Sequence, residues 1–160
     1  MNPLNLQYLY LPQRMNLEKA NLPKRKRIRL SNYDYASEGY YFVTICTFNK
    51  EPNIGLYSET VEKILLSLPA QIPGLRMDYY SLLPTHLHVI FVLTQRTMTL
   101  GQVIRYLKAL VSKKTGKKNF WQRNYYEHVI RNETALLRIR EYVQNNPLVE
   151  KIKFEQFYKL

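Results

Sequence analysis

The chain has a single cysteine, no long apolar run, and half as many acidic as basic side chains. Cys46 is the only cysteine among 160 residues, which excludes a disulfide framework and a thiolate metal cluster. A free thiol suits a reducing compartment, and its apolar setting marks Cys46 as a small core residue. The run Val89-Ile90-Phe91-Val92-Leu93 is far short of the ~18 apolar residues that cross a bilayer. The first residues mix Leu and Tyr with Asn, Gln and Pro and lack an apolar signal region, so no secretory signal is read. No internal repeat or low-complexity tract is present. What is present suffices for a core: hydrophobic residues make up 46% of the chain, and the length fits one domain with an arm or tail.

Charge points to a class of partner. Twenty-four Lys and Arg against twelve Asp and Glu give a net charge of +12 and a pI near 9.8. Like charges repel in the compact state, so such an excess serves contact with a polyanion better than it serves stability. The cations cluster as well. Lys24, Arg25, Lys26, Arg27 and Arg29 form one block, and Lys113, Lys114, Lys117 and Lys118 another. Between Gly101 and Lys118 there are basic residues, Arg105 and Lys108 among them, and no acidic one. A well-solvated surface would show the same composition, so charge favours nucleic acid and leaves the activity open.

Pro3, Pro12 and Pro23 interrupt residues 1–30, which read as a basic N-terminal arm ahead of a domain spanning 31–160. Tyr40 to Phe48 is β-branched and aromatic and reads as a strand. Ser58 offers an N-cap, and Val61, Ile64, Leu65 and Leu68 recur at helical spacing until Pro69 is expected to stop them. Met77 to Leu83 and His86 to Leu93 read as antiparallel strands separated only by Pro84-Thr85. An amphipathic helix follows from Leu100 to Ser112, its stripe formed by Val103, Ile104, Leu107, Leu110 and Val111. Tyr125 to Arg131 reads as a strand. Asn132 caps a last helix with Leu136, Ile139 and Val143 inward, expected to end at Pro147. The order strand, helix, strand, strand, helix, strand, helix predicts an α+β, ferredoxin-like antiparallel sheet with helices packed on one face.

Side chains alternate on a strand, so His86 and His88 share a face and two imidazoles could grip one metal ion. Two polar residues on a half-exposed strand would read the same. Further ligands would come from another element, and the last helix offers Tyr142 and Asn146, four residues apart and nearly in line. Pro147 disfavours a regular helical conformation at Asn146. Spacing alone does not select Tyr142 from fourteen tyrosines.

The chain resembles the single-tyrosine HUH transposases, and among them the REP-associated, IS200-like branch. The resemblance rests on several blocks in order: Arg29-Leu30 with Tyr33-Asp34-Tyr35; Tyr41 to Thr47; His86-Leu87-His88; Phe120-Trp121-Gln122-Arg123 with Tyr125 to Arg131; and Tyr142-Val143-Gln144-Asn145-Asn146-Pro147. It implies that His86 and His88 are metal ligands, that Asn146 is the third, and that Tyr142 on a catalytic C-terminal helix is the nucleophile. Mg²⁺ or Mn²⁺ is the expected cofactor. The expected reaction is cleavage and rejoining of single-stranded, hairpin-forming DNA through a 5′-phosphotyrosine, in transposition or repeat mobilisation. Lys24, Arg25, Lys26, Arg27, Arg29, Arg105, Lys108, Lys113 and Lys114 are the expected DNA contacts. A cytoplasmic, nucleoid-associated protein with no membrane partner follows, and homodimerisation is left open. Thr85 departs from the family, where Asn is common.

Two other readings remain. A non-catalytic module resembling RNA-recognition domains would share the sheet order and bind through exposed sheet aromatics. A domesticated relative would keep hairpin binding without mobility.

Overall fold

The computed structural model describes residues 37–95 and 97–151, with side chains as far as Asn145. The basic arm expected over residues 1–30 lies outside the described residues. Four strands form one antiparallel sheet: β1 (Gly39–Cys46), β2 (Leu75–Leu83), β3 (His86–Leu93) and β4 (Tyr126–Ile130), in the order β2-β3-β1-β4. Three long helices complete the order: α1 (Ser58–Gln71), α2 (Leu100–Thr115) and α3 (Glu133–Lys151). A 3₁₀ turn (Phe48–Lys50) and a one-turn helix (Asn53–Leu56) connect β1 to α1. The result is the expected α+β antiparallel sheet, held within a compact unit, Asp34–Pro147. The helices do not all pack on one face as expected: α3 lies against the face opposite α1, because its apolar stripe and Tyr142 cover Phe42 and His88.

Register assigns each side chain to a face. β1 pairs with β3 so that Thr44 faces His88 and Cys46 faces His86, with Val43 against Val89 on the alternate positions. Tyr41, Val43 and Ile45 therefore share one face with Leu87, Val89 and Phe91, all fully buried. Tyr80 pairs with Val89 on that face and donates to Glu62 of α1 at 2.7 Å, which places α1 there. Helix α2 packs on α1, where Tyr106 donates to Gln71 at 2.8 Å. Phe42, Thr44, His86 and His88 occupy the opposite face. Helix α3 covers it with Leu136, Ile139, Tyr142 and Val143, all buried. Every residue of β3 is buried because helices lie on both sides of it.

Local signals explain most boundaries, but β1 ends at Cys46 rather than Phe48, β2 begins at Leu75 rather than Met77, and α2 runs to Thr115 rather than Ser112. Three more helix features differ from the expectation. Ser58 is the first helical residue of α1, not its cap; Tyr57 precedes it without a side-chain bond. Helix α1 passes Pro69 and ends at Gln71, because a proline in the last turn removes only one bond from a helix about to stop. Helix α3 likewise continues through Pro147 to Lys151; the bias a proline imposes on the preceding residue does not forbid helix. The cap expected at Asn132 forms, and two further caps, not among the expected ones, close the ends of α2. Thr99 forms a reciprocal capping box with Gln102, and Gly116 closes α2 in the left-handed conformation at φ 66°. Asn132 Oδ1 accepts from the Ala135 amide at 2.8 Å at the start of α3. Gly74 turns α1 into β2 at φ 79°, where a Cβ would lie 2.5 Å from that of Gln95.

Candidate metal and nucleophile site

His86 and His88 point to the same face of the central strand, their ring centroids 4.8 Å apart. Strand β1 and the β2–β3 turn supply a hydroxyl to each inner ring nitrogen. Thr44 Oγ1 lies 2.8 Å from His88 Nδ1, and Thr85 Oγ1 lies 3.0 Å from His86 Nδ1. Both imidazoles are buried, at 4% and 1% exposure. Burial lowers the pKa of His86 to about 4, helped by the charge of Lys50. Burial, and secondarily His86, holds His88 well below the ordinary value. Both rings are therefore neutral near pH 7, the state in which imidazole binds metal.

A divalent ion fits the donor set. With Nδ1 engaged, Nε2 is the nitrogen that His88 can offer. The buried His88 Nε2 has no hydrogen-bond partner among the described residues, and a buried polar atom in that condition calls for one. Threonine hydroxyls on the inner nitrogens are the kind of support that fixes the orientation of metal-binding histidines. Among the described residues no group of three or more His, Cys, Asp or Glu could hold a metal. The backbone of Asn146 continues α3 one turn beyond Tyr142, while its side chain lies outside the described residues.

Tyr142 enters the same space from α3. Its ring stands edge-on to His88 at 5.5 Å and to Phe42 at 6.0 Å, and Phe42 stacks on His88 at 5.5 Å. Two residues earlier, Arg140 anchors the helix to edge strand β2. Its Nε donates to Asp78 Oδ2 at 2.6 Å and its Nη2 to Oδ1 at 3.0 Å. The guanidinium also lies 5.8 Å from the centre of the Tyr79 ring. The roles of Thr44 and the Arg140–Asp78 pair are not visible in the sequence, since both depend on register between distant segments.

The expected DNA contacts divide. Arg105, Lys113 and Lys114 are exposed on α2. Lys108 is turned inward: its Nζ donates to the carbonyls of Gln122, Arg123 and Asn124 at 2.7, 3.3 and 3.3 Å. Lys24, Arg25, Lys26, Arg27 and Arg29 lie outside the described residues. His128 is exposed on β4, where it pairs with Phe42.

No family model matches the chain. An uncharacterised protein of Haemophilus influenzae is 33% identical over 168 residues, covering 81% of this chain and 92% of that protein. A solved structure of the REP-associated tyrosine transposase bound to a REP hairpin superposes with a TM-score of 0.67 at 21% identity. It covers 81% of this chain and 74% of that one. A candidate transposase from Deinococcus radiodurans R1 superposes with a TM-score of 0.51 at 17% identity, over 77% of this chain and 97% of that one. The chain belongs to one family with the Haemophilus protein, and its fold is the IS200-like HUH transposase fold that the REP-associated tyrosine transposase also has.

Proposed function

We propose that this protein cleaves and rejoins single-stranded DNA, with Tyr142 as nucleophile and His86, His88 and Asn146 as ligands of a divalent ion, Mg²⁺ or Mn²⁺. One observation carries the reading. A helix tyrosine and two strand histidines, more than fifty residues apart in sequence, meet with ring centroids 4.8 and 5.5 Å apart. The REP hairpin bound by the structural neighbour supports hairpin-bearing DNA as the substrate, and the net charge of +12 suits it.

When bound, a divalent ion supplies Lewis acidity to the scissile phosphate. The chain supplies the rest. Thr44 and Thr85 hold the imidazoles in orientation, and Tyr142 presents its oxygen to phosphorus. The new bond joins that oxygen to the 5′ side of the break, the phenolic proton is lost, and the 3′ oxygen leaves as a hydroxyl. Attack by a DNA 3′ hydroxyl on the phosphotyrosine reverses these steps and releases the tyrosine. The basic block Lys24 to Arg29, with Arg105, Lys113 and Lys114, contacts phosphates; Lys108 contributes through the loop it holds.

The rival reading as a sheet-surface RNA-binding module needs exposed aromatics on the sheet. Phe42 and His88 are 3% and 1% exposed beneath α3, which disfavours it. Incubation with single-stranded DNA from the flanks of the gene, followed by mass spectrometry of tryptic peptides, tests the proposal. A nucleotide adduct on the Tyr142 peptide is expected. An adduct on Tyr125 or Tyr126, or cleavage with no adduct, would refute it.

A further inference from the structure

A second feature lies away from the histidines. Helix α2 and the segment Asn119 to Arg123 enclose an open groove of about 350 Å³. That is the lower end of the range for small-ligand sites, room for one unstacked nucleotide and too little for a duplex. Arg105 and Arg123 line it and are exposed, Ser112 and Asn119 add polar groups, and no acidic side chain takes part. Trp121 also lines it. Its ring is 8% exposed, and its indole N–H is buried with no acceptor among the described residues.

The groove is built rather than incidental. Lys108 draws three successive carbonyls onto one ammonium, which fixes the path of the segment carrying Arg123. Asn53 Nδ2 and the Phe48 amide both donate to Phe120 O, at 3.0 and 3.1 Å. The Gln122 amide donates to Cys46 O at 2.9 Å, and Cys46 is the register partner of His86. One wall of the groove is thus bonded to the strand end beside the histidines.

We propose that this groove holds one unstacked nucleotide of a single-stranded DNA, with Arg105 and Arg123 taking its phosphates and Trp121 forming part of its wall. The inference deepens the reading above and rests on it for the choice of DNA as the polyanion. Arginine suits the role because its planar fork matches phosphate oxygens and stacks on bases.

Trp121 is the only tryptophan in the chain and lines this groove, so its emission responds to what binds there. The full chain is titrated in chelator with an oligothymidylate and, separately, with a blunt hairpin lacking single-stranded tails. Anisotropy of a labelled copy measures total binding. The single strand should shift or quench Trp121 emission with the same midpoint as the anisotropy, and the blunt hairpin should not. Arg105→Gln with Arg123→Gln, both at exposed positions, should leave the circular dichroism unchanged, weaken single-strand binding at least tenfold and abolish the emission change. Binding that leaves Trp121 emission unmoved, or a double variant that binds as tightly, would overturn the proposal. So would an equal emission response to polyglutamate, which would make the groove a general anion surface. Because metal is withheld, the result is independent of cleavage: a missing Tyr142 adduct with an intact emission response would sink the chemistry and leave the groove standing.

Discussion

The histidine face and the Lys108 loop are both partly withdrawn from water, and burial acts on both in the same direction with opposite outcomes. It lowers His86 from an ordinary 6.5 to about 4 and Lys108 from 10.5 to about 8. Near pH 7 the imidazole is therefore neutral and the ammonium still charged. Desolvation disfavours the charged form everywhere; the starting value of each group decides what remains. The sheet face gains uncharged lone pairs suited to a cation. The rim keeps a positive charge suited to carbonyls and, beyond them, to a polyanion.

The comparison breaks most sharply at His88. His88→Ala should abolish DNA cleavage and lower Mn²⁺ affinity at least a hundredfold, read by titration calorimetry. Arg105→Gln should leave that affinity within twofold. Thr44→Val, which removes only the hydroxyl beside His88 Nδ1, should lower Mn²⁺ affinity by roughly ten- to a hundredfold, the usual effect of removing such support. Equal Mn²⁺ affinity in His88→Ala and the parent would remove the metal from this face.

Acid sharpens the same contrast in the metal-free protein. Unfolded histidines take up protons below about pH 6.5, whereas His86 resists until about pH 4 and His88 is also held low. The unfolded state therefore binds more protons across that window. Stability from the neutral pair is complete above about pH 6.5 and is lost progressively as pH falls below it. Urea midpoints in chelator at pH 7.5 and 5 should show the decline, and His86→Gln should flatten it. A parent and variant with parallel pH dependence would show that the His86 ring is solvated.

How much of this is legible in the sequence follows from the range of each signal. The β3 span, the Asn132 cap and the stripe Leu136, Ile139, Val143 depend on neighbours within a turn or a strand pair, and such neighbours are written in the local pattern. That His86 and His88 share a face follows from alternation alone. That Thr44 supports His88, and that Lys108 faces the carbonyls of Gln122 to Asn124 instead of solvent, depends on pairing between distant segments, which no local pattern records. Helical spacing marks Lys108 as solvent-facing; the loop that covers it comes fourteen residues later. Tyr142 is reached only through resemblance, because one tyrosine among fourteen carries no periodic signature.

The basic arm offers a smaller, graded test of the rim's electrostatics. Changing Lys24, Arg25, Lys26 and Arg27 to Ala should weaken single-stranded DNA binding and reduce the slope of log affinity against log salt by about 0.7 for each phosphate no longer neutralised. A slope that does not change would assign the charge block another purpose. Mn²⁺ binding to the histidine face should be unaffected.

The smallest expected effect falls where the two regions are farthest from their partners' help, at the Arg140–Asp78 pair. The two side chains are 28% and 18% exposed, so solvent screens them and their removal should lower stability by at most ~1 kcal/mol. Leu136, Ile139 and Val143 still hold α3 to the sheet in such a variant. What the pair adds is angular: two parallel bonds from one guanidinium fix the helix against β2 two residues before Tyr142. Arg140→Ala should therefore reduce cleavage several-fold while leaving the urea midpoint almost in place. Arg140→Lys should recover the charge and little of the rate, because an ammonium cannot reproduce the paired geometry. Full activity in Arg140→Ala would mean that the apolar stripe alone positions the tyrosine. A lysine variant as active as the parent would mean that charge, and not the fork, is what the site uses.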